Sequence, residues 1–235
     1  MAEEIVHTET RDGIAVATLD DGKANVVSHA LLEALNAHFD CAEEGEARAV
    51  LIAGRPGMLS GGFDLAVMRG GPQAVFDLVL SGAQFFLRVL EYPLPVVVAA
   101  TGHAIAAGAI TLLCADARFG AAGKFRIGLN EVAAGMTLPR FALEMARNRL
   151  SKRAFVRATT QAELFDPAAA VDAGYLDRVV DPDHLVGAAF AEASRLGDLT
   201  QPAFAATKQS ANAALVRNLR ESLEGDLRMM TGAGG

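Results

Sequence analysis

From Tyr92 to Ala115 the chain has no Asp, Glu, Lys or Arg. A stretch of that length and character must cross a bilayer or lie inside a folded core. Pro93, Pro95, Gly102, His103 and Gly108 interrupt it, and much of its apolar character is alanine. It divides into a strand over Pro95 to Ala100, a glycine-centred turn, and a helix from about Ala107 to Cys114. The strand is a continuous apolar run, the pattern of a strand covered on both faces in a parallel sheet. Buried core is therefore expected here, and a membrane span is not.

The flanking pattern agrees. Strands over Ile5 to Thr10 and Gly13 to Leu19 are joined by Arg11-Asp12-Gly13, a hairpin signal. Ser28 is placed to cap a helix with Leu31, Leu32, Leu35 and Phe39 on one side, ended by Gly45. A short apolar strand over Ala49 to Ala53 leads into a glycine-rich loop, Gly54 to Gly62. A short helix opens near Asp64 and breaks at Gly70-Gly71-Pro72. Residues 73–91 form a longer helix, and Asp116 to Phe119 and Lys124 to Ile127 add short strands. After residue 135 helices are expected over about 138–148, 151–160, 167–173, 183–195 and 202–229, interrupted by a strand over Leu176 to Val180. Strands alternating with helices, then a helical end, indicate an α/β fold. The division expected is a core domain over 1–180 and a helical region over 181–235.

Charge and cysteine content narrow the functions. Among 235 residues, 21 Lys and Arg stand against 28 Asp and Glu, a formal net charge of −7. Nucleic acid and anionic membrane surfaces, which favour basic faces, are not expected partners. A hydrophobic fraction of 51% excludes disorder of the whole chain. Cys41 and Cys114, far apart, form neither a metal motif nor a disulfide framework, and reduced thiols in a cytoplasmic protein are expected. The start, MAEEIVHTET, has no apolar signal region. No P-loop, dinucleotide fingerprint, HExxH or G-x-S-x-G occurs, and the five histidines lack metal spacing.

Three segments bear on chemistry. Met58 to Leu65 and Thr101 to Gly108 are glycine-containing junctions between a strand and a helix. Small residues allow close backbone approach, and free amides at a helix start favour negative charge. Two such junctions on neighbouring strands could aim two N–H donors at one oxygen; plain turn chemistry explains either one alone. The third is Ile127 to Gly135, in which Glu131 is a lone carboxylate among small and apolar residues. Burial would raise its pKa and suit it to proton transfer, whereas an exposed or ion-paired Glu would be ordinary.

Taken in order, Lys23-Ala24-Asn25, Ser60-Gly61-Gly62-Phe63-Asp64-Leu65, Gly102-His103-Ala104 through Gly108, Gly128-Leu129-Asn130-Glu131 and Ala173 through Val180 make the chain resemble the crotonase family, the enoyl-CoA hydratases and isomerases, over about residues 5–225. The resemblance implies a crotonase-like ββα spiral core of four turns and a C-terminal helical trimerisation region, with trimers often paired into hexamers. It implies an acyl-CoA substrate, no cofactor beyond that CoA thioester, and an oxyanion hole made by the backbone amides of Phe63 and Ala107. It also implies CoA contacts near Lys23 and Ala24 and along Ser60, Gly61, Asp64 and Leu65. Lys208 matches a helix lysine that meets the CoA 3′-phosphate, although a solvated helix lysine is equally ordinary. Asp64 either caps the helix it precedes or braces the adenine pocket, the second being favoured.

Two positions depart from the family pattern. Hydratases have two catalytic glutamates, and Ile110 stands at the position of one while Glu131 matches the other. The second oxyanion loop reads Ala106-Ala107-Gly108 in place of a glycine run. Adding water to a 2-enoyl thioester uses two carboxylates, whereas moving a double bond from position 3 to position 2 needs one. The pattern is closest to the single-glutamate isomerases, with Glu131 as acid and base. Enoyl-CoA hydratase is the alternative, and a non-catalytic acyl-CoA-binding protein a further one. The acyl pocket is expected along the helix over 73–90 with Met68 and Phe63. Phe76, Phe85 and Phe86 are candidates there, or simply core aromatics.

Overall fold

The computed structural model describes residues 5–232. β1 (Val6–Arg11) and β2 (Ile14–Leu19) form an antiparallel hairpin. Asp12 and Gly13 both take positive φ, the two-residue turn whose twist suits a hairpin. The order continues through α1 (His29–Glu44), β3 (Ala49–Gly54), β4 (Gly57–Ser60), α2 (Leu65–Met68), α3 (Pro72–Glu91), β5 (Val96–Ala100), β6 (Gly102–Ile105) and α4 (Ala107–Cys114). It then runs through β7 (Ala117–Ala121), β8 (Ile127–Gly128), α5 (Arg140–Arg149), α6 (Lys152–Ala158), α7 (Pro167–Ala173), β9 (Arg178–Val180), α8 (Pro182–Gly197) and α9 (Gln201–Thr231). Ser28 caps α1 as expected, its side chain accepting from the Leu31 amide.

Two sheets result. The larger has the order β1-β2-β3-β5-β7-β9, parallel from β2 onward, and the smaller has the parallel order β4-β6-β8. The chain visits one strand of each sheet and then a helix, three times in succession. The first pass has Val27 in place of a small-sheet strand, bridged in parallel to Phe63. This is the expected four-turn ββα spiral.

Alternation along the large sheet explains its continuous apolar runs. Val50, Ile52, Val96, Val98 and Ala100 face the main core with α1, α3 and α4. Leu51, Ala53, Val97 and Ala99 face a second cluster completed by Leu185, Ala189 and Ala193 of α8. The uncharged stretch thus becomes β5, β6 and α4, mostly buried and with no residue exposed. Among the described residues α3 has the length and apolar content of a membrane span, and it buries Leu78, Phe86, Leu87 and Leu90 in the main core.

Two expectations change. The segments 54–62 and 102–106, expected as loop and turn, contain β4 and β6. Their glycines mark close backbone approach. A Cβ on Gly102 would lie 1.9 Å from the Gly57 carbonyl carbon. The helical region after residue 180 packs on the core domain. Val216, Leu219, Leu223 and Leu227 of α9 belong to the main cluster, beside α3 residues.

Candidate active site

The first junction is held from below. Asn25, at φ +47, donates through Nδ2 to the carbonyls of Leu19 (2.9 Å), Met58 (3.2 Å) and Leu59 (3.2 Å). Ala24 accepts from the Gly61 amide at 2.7 Å. The Val27 amide donates to Gly62 O (2.8 Å), and Val27 O accepts from the Asp64 amide (3.0 Å). In a parallel bridge of this kind, the residue between the two bonded peptides turns its own N–H to the opposite side. The Phe63 amide therefore points away from Val27.

That junction is a strained turn. Ala106 has φ +52 and ψ −119, a region seldom adopted by a residue with a Cβ. Its amide donates to Gly128 O at 2.9 Å, and α4 begins at the next residue. The Ala107 amide, at the first helical position, has no intrahelical acceptor. The two junctions touch. A Cβ on Gly62 would sit 2.8 Å from Ala106 Cβ and 3.6 Å from Ala107 N, and one on Gly108 would sit 2.5 Å from Ser60 O. Neither the Phe63 nor the Ala107 amide donates to an acceptor among the described residues.

Glu131 follows β8 in a tight turn. Its carbonyl accepts from the Ala134 amide (3.0 Å) and the Met136 amide (2.8 Å). The residue is only 8% exposed, and Oε2 is sealed from solvent without a partner. Burial pushes the carboxyl up to about 7, against a smaller opposing pull from the backbone at Glu131 and Asn130. Near neutral pH such a group can both take and return a proton.

A cleft of about 710 Å³ joins these parts. Gly61, Phe63, Ala106, Ile110, Asn130 and Glu131 line one region, and Glu131 is the only acidic side chain in the lining. Leu65, Met68, Val75, Val79, Met136 and Met230 supply much of the apolar wall. Met68 and Phe63 lie where expected. Phe76, Phe85 and Phe86 do not line it; they are buried in the core, with Phe85 edge-on to Phe39 at 5.3 Å between centroids. α3 instead turns Val75 and Val79 to the cleft. Gly82 leaves room for the Phe63 ring, since a Cβ there would meet it at 2.5 Å. The sequence reading also missed Met230 and Thr231, the last turn of α9, at the cleft wall.

The residues matched to CoA contacts divide. Gly61 and Leu65 line the cleft, and Leu65 is 55% exposed. Lys23 is exposed and Ala24 half-buried beside Gly61. Ser60 is buried, with Oγ accepting from the Gly62 amide at 3.2 Å, so its hydroxyl braces the loop from inside. Asp64 caps α2, accepting from the Ala66 amide at 2.8 Å, the first of the two roles weighed for it. Lys208 is a correction. Its ammonium is buried 2.6 Å from Asp116 Oδ2 and outside the cleft lining. Reaching a phosphate would break a buried ion pair. Burial holds its pKa below the ordinary lysine value while Asp116 opposes the shift. Among the described residues no cluster of three or more His, Cys, Asp or Glu is placed to hold a metal, and both cysteines are free.

Comparison with known proteins identifies the relatives of this chain. The family model described as enoyl-CoA hydratase/isomerase matches residues 9–233. The chain is 29% identical over 231 residues to the mitochondrial enoyl-CoA delta isomerase 1 of Mus musculus, covering 97% of this chain and 80% of that one. A crystal structure of an enoyl-CoA hydratase/isomerase family protein from Pseudomonas syringae superposes with a TM-score of 0.95 at 43% identity, covering 98% of this chain and 100% of that one. The apo structure of the Mycobacterium tuberculosis enoyl-CoA isomerase superposes with a TM-score of 0.91 at 38% identity, covering 98% and 99%. Other relatives are named probable enoyl-CoA hydratases.

Proposed function

The chain belongs to the enoyl-CoA hydratase/isomerase family, and from that membership we propose that it converts a 3-enoyl-CoA into the 2-enoyl-CoA, with Glu131 carrying the proton. The observation that supports this most is a single buried carboxylate, poised near neutrality, in a cleft lined by Phe63 and Ala106, beside the unclaimed amides of Phe63 and Ala107.

The thioester carbonyl accepts from the amides of Phe63 and Ala107. Ionised Glu131 removes a proton from C2, breaking the C–H bond and sending its electrons into a dienolate. The negative charge collects on the thioester oxygen, where the two amides already point. Loss of one such donor typically costs roughly 100- to 1,000-fold in rate. Protonated Glu131 then returns the proton to C4, leaving the double bond between C2 and C3. Nothing else is consumed. Ile110, 1% exposed in the cleft wall, occupies the position where hydration would need a second acid. The apolar wall suits an acyl chain. Gly61, Leu65 and the exposed loop at Lys23 and Ala24 are proposed to hold CoA. By the same membership, assembly into a homotrimer or a hexamer is proposed, with light scattering as its readout.

The test follows conjugated-thioester absorbance with two substrates. Isomerisation raises it from 3-enoyl-CoA, whereas hydration lowers it from 2-enoyl-CoA. Turnover of the 2-enoyl substrate with none of the 3-enoyl substrate refutes the proposal.

A further inference from the structure

Two buried polar atoms have no hydrogen-bond partner among the described residues, and they are complementary. One is Oε2 of Glu131. The other is the hydroxyl of Tyr175, a residue with no exposure at all. Tyr175 follows Gly174, the left-handed residue that ends α7, and its amide donates to Ala170 O at 2.9 Å. Its ring lies 5.9 Å from that of Phe165, which exchanges two backbone hydrogen bonds of 2.9 Å with Ile127 of β8. β8 leads directly into Glu131. The phenol is thus anchored to the same short strand as the acid. The Leu129 backbone and the Glu131 carboxyl are near enough to act on its hydroxyl, and neither is hydrogen-bonded to it.

Packing alone does not account for a tyrosine here. Phenylalanine would fill the same core space without burying a hydroxyl, and buried polar groups are normally paired. The other tyrosine of the chain follows that rule, with Tyr92 Oη donating to Phe39 O at 2.5 Å.

We propose that Tyr175 is a positioning residue for Glu131: its hydroxyl donates to Oε2 of the ionised carboxylate and so presents Oε1 to C2 of the bound thioester. The catalytic consequence rests on the isomerase function proposed above; the contact itself does not. A hydrogen bond given to the charged form favours that form. Tyr175 therefore partly offsets the burial that raises the pKa of Glu131. Glu131 is the one charged side chain that acts on the hydroxyl.

The experiment is a carbon-13 NMR titration of the glutamate carboxyls in the full chain, with Glu131→Gln identifying the resonance. Tyr175→Phe is expected to raise the Glu131 midpoint by about one pKa unit, a tenfold change in proton affinity. The acid limb of kcat/KM for 3-enoyl-CoA should rise by the same amount, while binding of a saturated acyl-CoA and the Tm barely move. Replacement of both tyrosines by 3-fluorotyrosine, whose hydroxyl is a stronger donor, should lower the midpoint and keeps the proposal testable if the phenylalanine variant does not fold. A midpoint that stays put, or moves the opposite way in either protein, overturns the proposal. A wild-type protein that leaves 3-enoyl-CoA unchanged while the midpoint still shifts upholds the contact and removes the isomerase function.

Discussion

Replacing Glu131 with Gln should abolish proton transfer and stabilise the fold, with the second effect switched on by pH. The carboxyl ionises at about 7 in the folded chain, against an ordinary value of 4.5. The folded state therefore holds its proton over a range in which the unfolded chain has released it. Stability falls as pH rises from about 4.5 to about 7, then levels off. At ~1.4 kcal/mol per tenfold in proton affinity, ionised Glu131 costs the fold about 3 kcal/mol above neutrality. Gln has the same shape and no charge, although burying its amide takes back part of that gain. Urea unfolding at pH 5, 6, 7 and 8, at fixed protein concentration, should show the variant gaining on the wild type as pH rises. The expected advantage is about 1–3 kcal/mol at pH 8, with little at pH 4.5. Isomerisation should fall about 100- to 10,000-fold. A stability difference independent of pH would refute the buried, proton-holding state of this group.

Other substitutions probe the frame around the acid. Ile110→Glu should increase hydration of 2-enoyl-CoA more than isomerisation, as read by paired absorbance assays; no gain in hydration would refute the single-acid explanation for this site. Lys208→Met leaves Asp116 without its buried partner and should destabilise the fold by about 3–5 kcal/mol in urea unfolding, with KM for the acyl-CoA nearly unchanged in the folded fraction. Gly82→Ala places a methyl group against the Phe63 ring. It should lower kcat more than substrate binding, because the ring and the amide beside it move together.

Much of this frame was legible before any coordinates. The unbroken apolar run at Val96–Ala100 could only be a covered strand, and Ser28 announced α1. Glu131 stood out because no charged neighbour competes with it between Gly128 and Gly135. What escaped depended on distant contacts. β4 pairs in parallel with β6, more than forty residues along the chain, and their glycines resemble ordinary loop residues until the backbones meet. On α3, buried residues surround most of the helix, so periodicity could not show that Val75 and Val79 face the cleft while the phenylalanines face the core. Lys208 has the composition of a solvated lysine, and only the fold brings Asp116 to it. Tyr175 lay inside a quoted motif, yet nothing local connects its hydroxyl with a carboxylate 44 residues earlier in the sequence.

The central claim is that one sealed acid moves one proton across the bound thioester. Its most direct test uses 3-enoyl-CoA deuterated at C2, with product analysed at low conversion. Deuterium at C4 of the 2-enoyl-CoA, lost together with turnover in Glu131→Gln, is the predicted result. Product with no label at C4, or the same transfer in Glu131→Gln, would contradict it.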